Sequence, residues 1–193
     1  MPTVYLVRHA KPAATWGEAV DPGLDDLGRT QAASTAQRLH QACAPLPIVT
    51  SPLKRCRETA EQLSKLWNCD VLVMPAVAEV PSPPLSLTEK QKWLHAAMQG
   101  TWSELQASAP AGSPDYLAWR QELLRTLAAL EHDCAIFTHY IAINVAVGAA
   151  QGHDRVLSFR PSHASVTTLD IAAGRIAIRE LGTEADGDVL MGK

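Results

Sequence analysis

Hydrophobic and polar positions along this chain switch repeatedly between two periods. Short, continuously apolar runs at 3–8, 48–50, 71–74 and 135–138 are too brief for helices and predict buried strands. Between them the apolar positions fall at helical spacing. Asp25 is a candidate N-cap for a helix to about Cys43, with Leu27, Ala32, Ala36, Leu39 and Cys43 on one face. Pro45 and Pro47 end it. Pro52 suits the first turn of the next helix, which carries Leu53, Cys56, Ala60, Leu63 and Trp67 inward. A third helix follows the run at 135–138, with Ile141, Val145 and Ala149 in register. This alternation predicts an α/β fold, a three-layer sandwich with a mostly parallel sheet flanked by helices.

Two regions depart from the pattern. Pro81-Ser82-Pro83-Pro84 breaks regular structure, and Thr88 with Gln91 is a candidate capping box for a short helix bearing Trp93, Leu94 and Met98. After the loop at 109–114, Ser113 is placed to cap a longer helix with Leu117, Leu124, Leu127 and Leu130 inward. Residues 81–113 are too few to bury a core of their own. They read as an insertion over the sheet's carboxyl edge, within a single domain spanning 1–193. At the other end, 165–171 and 175–181 read as strands joined by Ala172-Ala173-Gly174. That is a hairpin, so the last strand is expected antiparallel at an edge.

Composition narrows the class. The 193 residues are 47% hydrophobic and 19% charged, a globular balance. A net charge of -3 argues against a general nucleic-acid binder. No apolar run reaches membrane-span length, and Met1-Pro2-Thr3-Val4 does not open a signal peptide. Cys43, Cys56, Cys69 and Cys134 lack metal or redox spacing and read as reduced thiols, so a cytoplasmic location is expected.

The chemistry concentrates where predicted strands end. Arg8 and His9 close the first strand, where open α/β sheets place their ligands. Arginine brings a permanent charge and a fork of donors suited to phosphate oxygens. Arg55 lies in the first turn of the helix after the second strand, where free N–H groups also favour an anion. His139 follows the fourth strand. Two arginines and two histidines from distant segments therefore converge, as a dianionic phosphate requires. A histidine nucleophile beside such a clamp points to phosphoryl transfer through a phosphohistidine.

Leu6-Val7-Arg8-His9-Ala10, then 24–32, then Ser51-Pro52-Leu53-Lys54-Arg55-Cys56-Arg57-Glu58-Thr59-Ala60, then Thr138-His139 resemble the histidine phosphatase superfamily. The resemblance implies the phosphoglycerate mutase-like sandwich, no metal and no other cofactor. By position it implies His9 as nucleophile and Arg8, Arg55 and His139 as phosphate ligands. Glu79 falls at the family's acidic position, here Val77-Ala78-Glu79, and is the candidate proton donor. The expected partner is a small phosphorylated substrate, with no nucleic acid or membrane. The oligomeric state is open.

Departures are specific. Ala10 and Tyr140 replace the usual glycine after each histidine, and Lys11-Pro12-Ala13-Ala14 replaces a common Gly-Glu-Thr/Ser run. Tyr140 is expected to line the phosphate pocket or to point into the core. His132-Asp133 and His153-Asp154 read as surface residues and Arg57 as a salt-bridge partner, while His163 either reaches the site from its loop or, the preferred reading, lies on the surface. Trp93, Trp102 and Trp119 read as core. Two rivals to a phosphatase stay open: a phosphoglycerate-type mutase, and a weakly catalytic module that binds phosphoproteins.

Overall fold

The computed structural model describes residues 1–14 and 18–185. Among these residues, six strands form one sheet: β1 (Thr3–Arg8), β2 (Ile48–Thr50), β3 (Val71–Val73), β4 (Cys134–Thr138), β5 (Val166–Ala172) and β6 (Arg175–Glu180). Their order is β3-β2-β4-β1-β5-β6. The first four strands in that order are parallel. β5 runs antiparallel to β1, and β6 antiparallel to β5. The strand that opposes the rest is therefore β5, one in from the edge, and the hairpin turns β6 back into the common direction. The last strand, β6, pairs antiparallel with its neighbour at the edge of the sheet, as the hairpin predicts.

Among the described residues, six α-helices flank the sheet: α1 (Asp26–Ala42), α2 (Lys54–Trp67), α3 (Leu87–Ala97), α4 (Trp102–Ala107), α5 (Tyr116–Ala128) and α6 (Tyr140–Gln151). Strand alternation sends Val7, Ile48, Ala135 and Phe137 to one face, against Ala36 and Leu39 of α1 and Cys56, Ala60 and Leu63 of α2. Val4, Leu6, Val49 and Ile136 point to the other face, against α6 and the Leu123 and Leu127 side of α5. The middle helices join that second core. Trp102 of α4 is fully buried and lies 5.7 Å from the Trp119 ring, and Trp93 of α3 stacks on Tyr116 at 5.6 Å. Among the described residues, no helix is long and apolar enough to cross a membrane.

Several local expectations shift by a residue or two. Asp25 caps α1 as expected, accepting from the Gly28 N–H. Leu27, however, is 52% exposed, because the buried face runs through Gly28, Ala32, Thr35, Ala36 and Leu39. Gly28 sets that face: a Cβ there would lie 2.1 Å from the Lys11 carbonyl oxygen. Asp115, not Ser113, caps α5, which turns Leu117 to 40% exposure. The capping box of α3 is Ser86 with Glu89, two residues ahead of Thr88 and Gln91. α2 begins at Lys54 with Leu53 at the cap, so Pro52 precedes the helix.

Candidate active site

The sheet register builds the floor of the site. Arg8 pairs with Thr138 and Thr50 with Phe137, so β1, β2 and β4 end at one level. The ladder continues one bond further. His9 N–H donates to Thr138 O at 2.9 Å, and Ser51 N–H to Phe137 O at 2.9 Å. Beyond these bonds lie His9, His139 and the Ser51-Pro52 turn into α2. Ala10 N–H donates to Thr59 Oγ1 (3.1 Å), whose hydroxyl donates to Arg55 O (2.6 Å). The nucleophile loop and the arginine turn are thereby tied together. Ala10 does not have a positive φ, so the missing glycine carries no backbone strain.

The hydrogen bonds determine the tautomers. His9 Nδ1 lies 2.9 Å from Ala10 O, which can only accept. The proton therefore sits on Nδ1, and Nε2 keeps its lone pair. Arg55 Nη2 can only donate, so His139 Nδ1 accepts from it at 3.2 Å. The His139 proton then sits on Nε2, which donates to Ser51 Oγ at 2.7 Å. The two histidine rings are 5.3 Å apart. Burial and the nearby Arg55 hold both rings neutral, with pKa values well below the ordinary 6.5.

Arg8 is 2% exposed. Its Nη1 donates to Pro161 O at 2.7 Å, its Nη2 to His163 Nε2 at 3.1 Å, and its guanidinium lies 4.7 Å from the Tyr140 ring centre. Burial lowers its pKa to about 10, so it remains a cation at neutral pH. Among the described residues, Arg8 Nε has no hydrogen-bond partner.

Glu79 reaches the site from a short 3-10 turn, Pro75–Val77. Thr138 Oγ1 pins that turn to the end of β4 by donating to Val77 O at 2.6 Å. The Glu79 carboxylate accepts from Val80 N–H (2.9 Å) and Ile141 N–H (3.3 Å), the second belonging to the first turn of α6. Those bonds and the arginines favour its charge, yet burial outweighs them and raises its pKa above 4.5.

Arg8, His9, Arg55, Glu79 and Tyr140 all line one cleft of about 480 Å³. His139 is fully buried and supports Arg55 and His9 from below. His163 also lines the cleft, with its ring 5.8 Å from His9, so it is no surface histidine. Burial and the Arg8 charge lower its pKa to about 3. The signal for it was topological: in a strand antiparallel to β1, the residues before β5 must lie at the carboxyl end of β1. The next residue, Ala164, has φ +57, a costly value for alanine. Its N–H donates to His9 O (3.3 Å) and its carbonyl accepts from Thr35 Oγ1 (2.8 Å). Among the described residues, no group of three or more His, Cys, Asp and Glu could hold a metal ion.

The sequence pattern of the histidine phosphatase superfamily, branch 1, matches residues 4–184, and the chain belongs to that family. It is accordingly an enzyme of the phosphomonoester hydrolase class. Over 172 residues it is 33% identical to the "Probable phosphoglycerate mutase GpmB" of Photorhabdus laumondii, covering 77% of this chain and 74% of that one. Over 84 residues it is 33% identical to the metal-independent phosphoserine phosphatase of Arabidopsis thaliana, covering 40% of this chain and 32% of that one. Its fold is similar to that of a mycobacterial glucosyl-3-phosphoglycerate phosphatase solved with inorganic phosphate. The TM-score is 0.74 at 22% identity, over 95% of this chain and 98% of that one.

Proposed function

We propose that the chain is a metal-independent phosphatase that hydrolyses a small phosphomonoester through a phosphohistidine at His9. The observation that carries this reading is the His9 ring. It is buried and neutral, and its protonated Nδ1 is bound to Ala10 O, so a bare Nε2 is left beside two arginines. In the first step the Nε2 lone pair attacks phosphorus and the bond to the ester oxygen breaks. Arg8 and Arg55 offset the charge on the non-bridging oxygens, with His139 buttressing Arg55 and His163 orienting Arg8. Glu79, whose raised pKa favours the protonated form, gives its proton to the leaving oxygen. In the second step the Glu79 carboxylate takes a proton from water as the water oxygen attacks phosphorus. The P–N bond breaks, inorganic phosphate leaves, and Glu79 is again protonated. Residues 1–193 act as one domain in this reading, with the 81–113 segment over the cleft.

The test is His9→Ala. Turnover and covalent labelling by a phosphate donor are both expected to vanish, and chelator is expected to leave the parent enzyme unaffected. Undiminished hydrolysis by the variant would overturn the mechanism. Likeness to GpmB favours a second reading, in which the same phosphohistidine returns its phosphoryl group to a substrate oxygen. Incubation with 3-phosphoglycerate and a bisphosphorylated primer separates the two. Isomer without free phosphate means a mutase, and free phosphate means a phosphatase.

A further inference from the structure

We infer that the substrate carries a single phosphate ester and no second charged group, on an alcohol that is mainly apolar and of ring size. The inference rests on the phosphatase reading of the same cleft and concerns what lies beyond phosphorus. Arg8 and Arg55 sit on the floor beside the nucleophile and are committed to the phosphoryl oxygens. Outside the floor, the charged residues of the wall are Lys11 and Lys90 against Glu18 and Asp25, two of each sign. Lys11 Nζ is itself bound to Asp25 at 2.9 Å. The wall therefore has no surplus positive charge. A carboxylate or a second phosphate entering it would lose water while meeting as much negative as positive charge.

The rest of the wall favours apolar contact. Val20, Leu53, Val80, Pro81, Leu87 and Leu94 face the cleft from four separate segments. Among the described residues, Ser82 is the one neutral polar side chain that those segments contribute, with Tyr140 and His163 lining the cleft nearer the floor. Hydroxyls directed at this apolar arc would lose water without gaining a partner there, and unpaired buried hydroxyls are penalised. The cleft volume of about 480 Å³ lies in the range of small-molecule sites and leaves room for a ring beyond the phosphoryl group.

The experiment compares kcat/KM for 2-phenylethyl phosphate, glycerol 3-phosphate and 3-phosphoglycerate, three alkyl esters, by phosphate release from the full chain. His9→Ala serves as the background. The phenylethyl ester is expected to exceed both others by at least tenfold. If 3-phosphoglycerate is hydrolysed as well or better, and His9→Ala abolishes that activity, the inference falls while the phosphatase reading stands. If His9→Ala retains the activity, or no ester is hydrolysed, the underlying reading falls and takes the inference with it. A second arm uses Leu87→Lys, at the solvent-accessible start of α3. It is expected to shift the ratio of 3-phosphoglycerate to phenylethyl phosphate at least threefold toward the acid. An unchanged ratio overturns the inference.

Discussion

The floor of the cleft consists of side chains one or two positions past strand ends, held level by consecutive backbone bonds between β1, β2 and β4. The wall comes from residues around 11–14, 18–25 and 78–82 and from the start of α3, outside the sheet register. The floor is buried and its polar atoms are mostly paired within the protein before any substrate arrives. The wall is half-exposed and largely apolar. Preorganised charge of the first kind lowers barriers, because nothing must be reorganised during reaction. Contact of the second kind selects among substrates and bears on KM or on the ratio of kcat/KM values.

Substitutions that separate the two regions have ordered sizes. Loss of the nucleophile in His9→Ala is the largest. Next, Glu79→Gln is expected to lower kcat roughly 10²–10⁴-fold for alkyl esters. The loss should be much smaller for 4-nitrophenyl phosphate, whose leaving group needs no proton. An equal loss on both would remove Glu79 from the proton-donor role. Arg55→Ala should cost roughly 10²–10³-fold in kcat, with KM moving less. A fall below tenfold, or an effect confined to KM, would make Arg55 part of the wall rather than the floor.

His163→Ala should cost about tenfold, as one hydrogen bond to a charged group is lost. Gln in its place offers an oxygen to Arg8 and should restore part of the rate, which a purely structural role would not predict. The smallest effect near neutrality is on stability. His9, His139 and His163 are held neutral when folded, with pKa values below the ordinary 6.5, that of His163 at about 3. The unfolded chain takes up protons below 6.5 that the folded chain refuses. Stability is therefore complete above that pH and is lost as pH falls, by up to about 1.4 kcal/mol per unit per histidine. Glu79 opposes this, since its raised pKa removes stability as pH rises past 4.5. Thermal unfolding from pH 8 to pH 5 measures the balance. A flat profile would refute the neutral histidines.

The same division explains what could be read from the sequence. Arg8, His9, Arg55 and His139 follow strands with clear apolar runs, and parallel packing of those strands brings them together. Glu79 and Tyr140 were reachable by position relative to the same strands. His163 was not, because its neighbours carry no period and its place depends on β5 reversing direction beside β1. Leu117 was misassigned because the cap of α5 is Asp115, two residues past Ser113, while Leu27 was misassigned although its cap, Asp25, was read correctly. In α1 the decisive fact is a backbone contact, Gly28 against Lys11 O, which no side-chain pattern encodes. The cleft wall was illegible for a related reason: its residues share no element, so no periodicity joins them.

Cys56 lies beneath the floor, in the core between α2 and the sheet. It is completely buried, its Sγ lies 3.3 Å from both Thr138 O and His139 Nε2, and burial drives its pKa far above the ordinary 9.0. A thiol so placed stays protonated and out of reach of electrophiles. Cys43 and Cys69, both partly exposed, would meet alkylating agents or peroxide first, well away from the cleft lining. The consequence is chemical durability. A centre that does its work with imidazole, and shields the sulfur next to it, should keep turning over under oxidative stress that silences phosphatases dependent on a reactive thiolate.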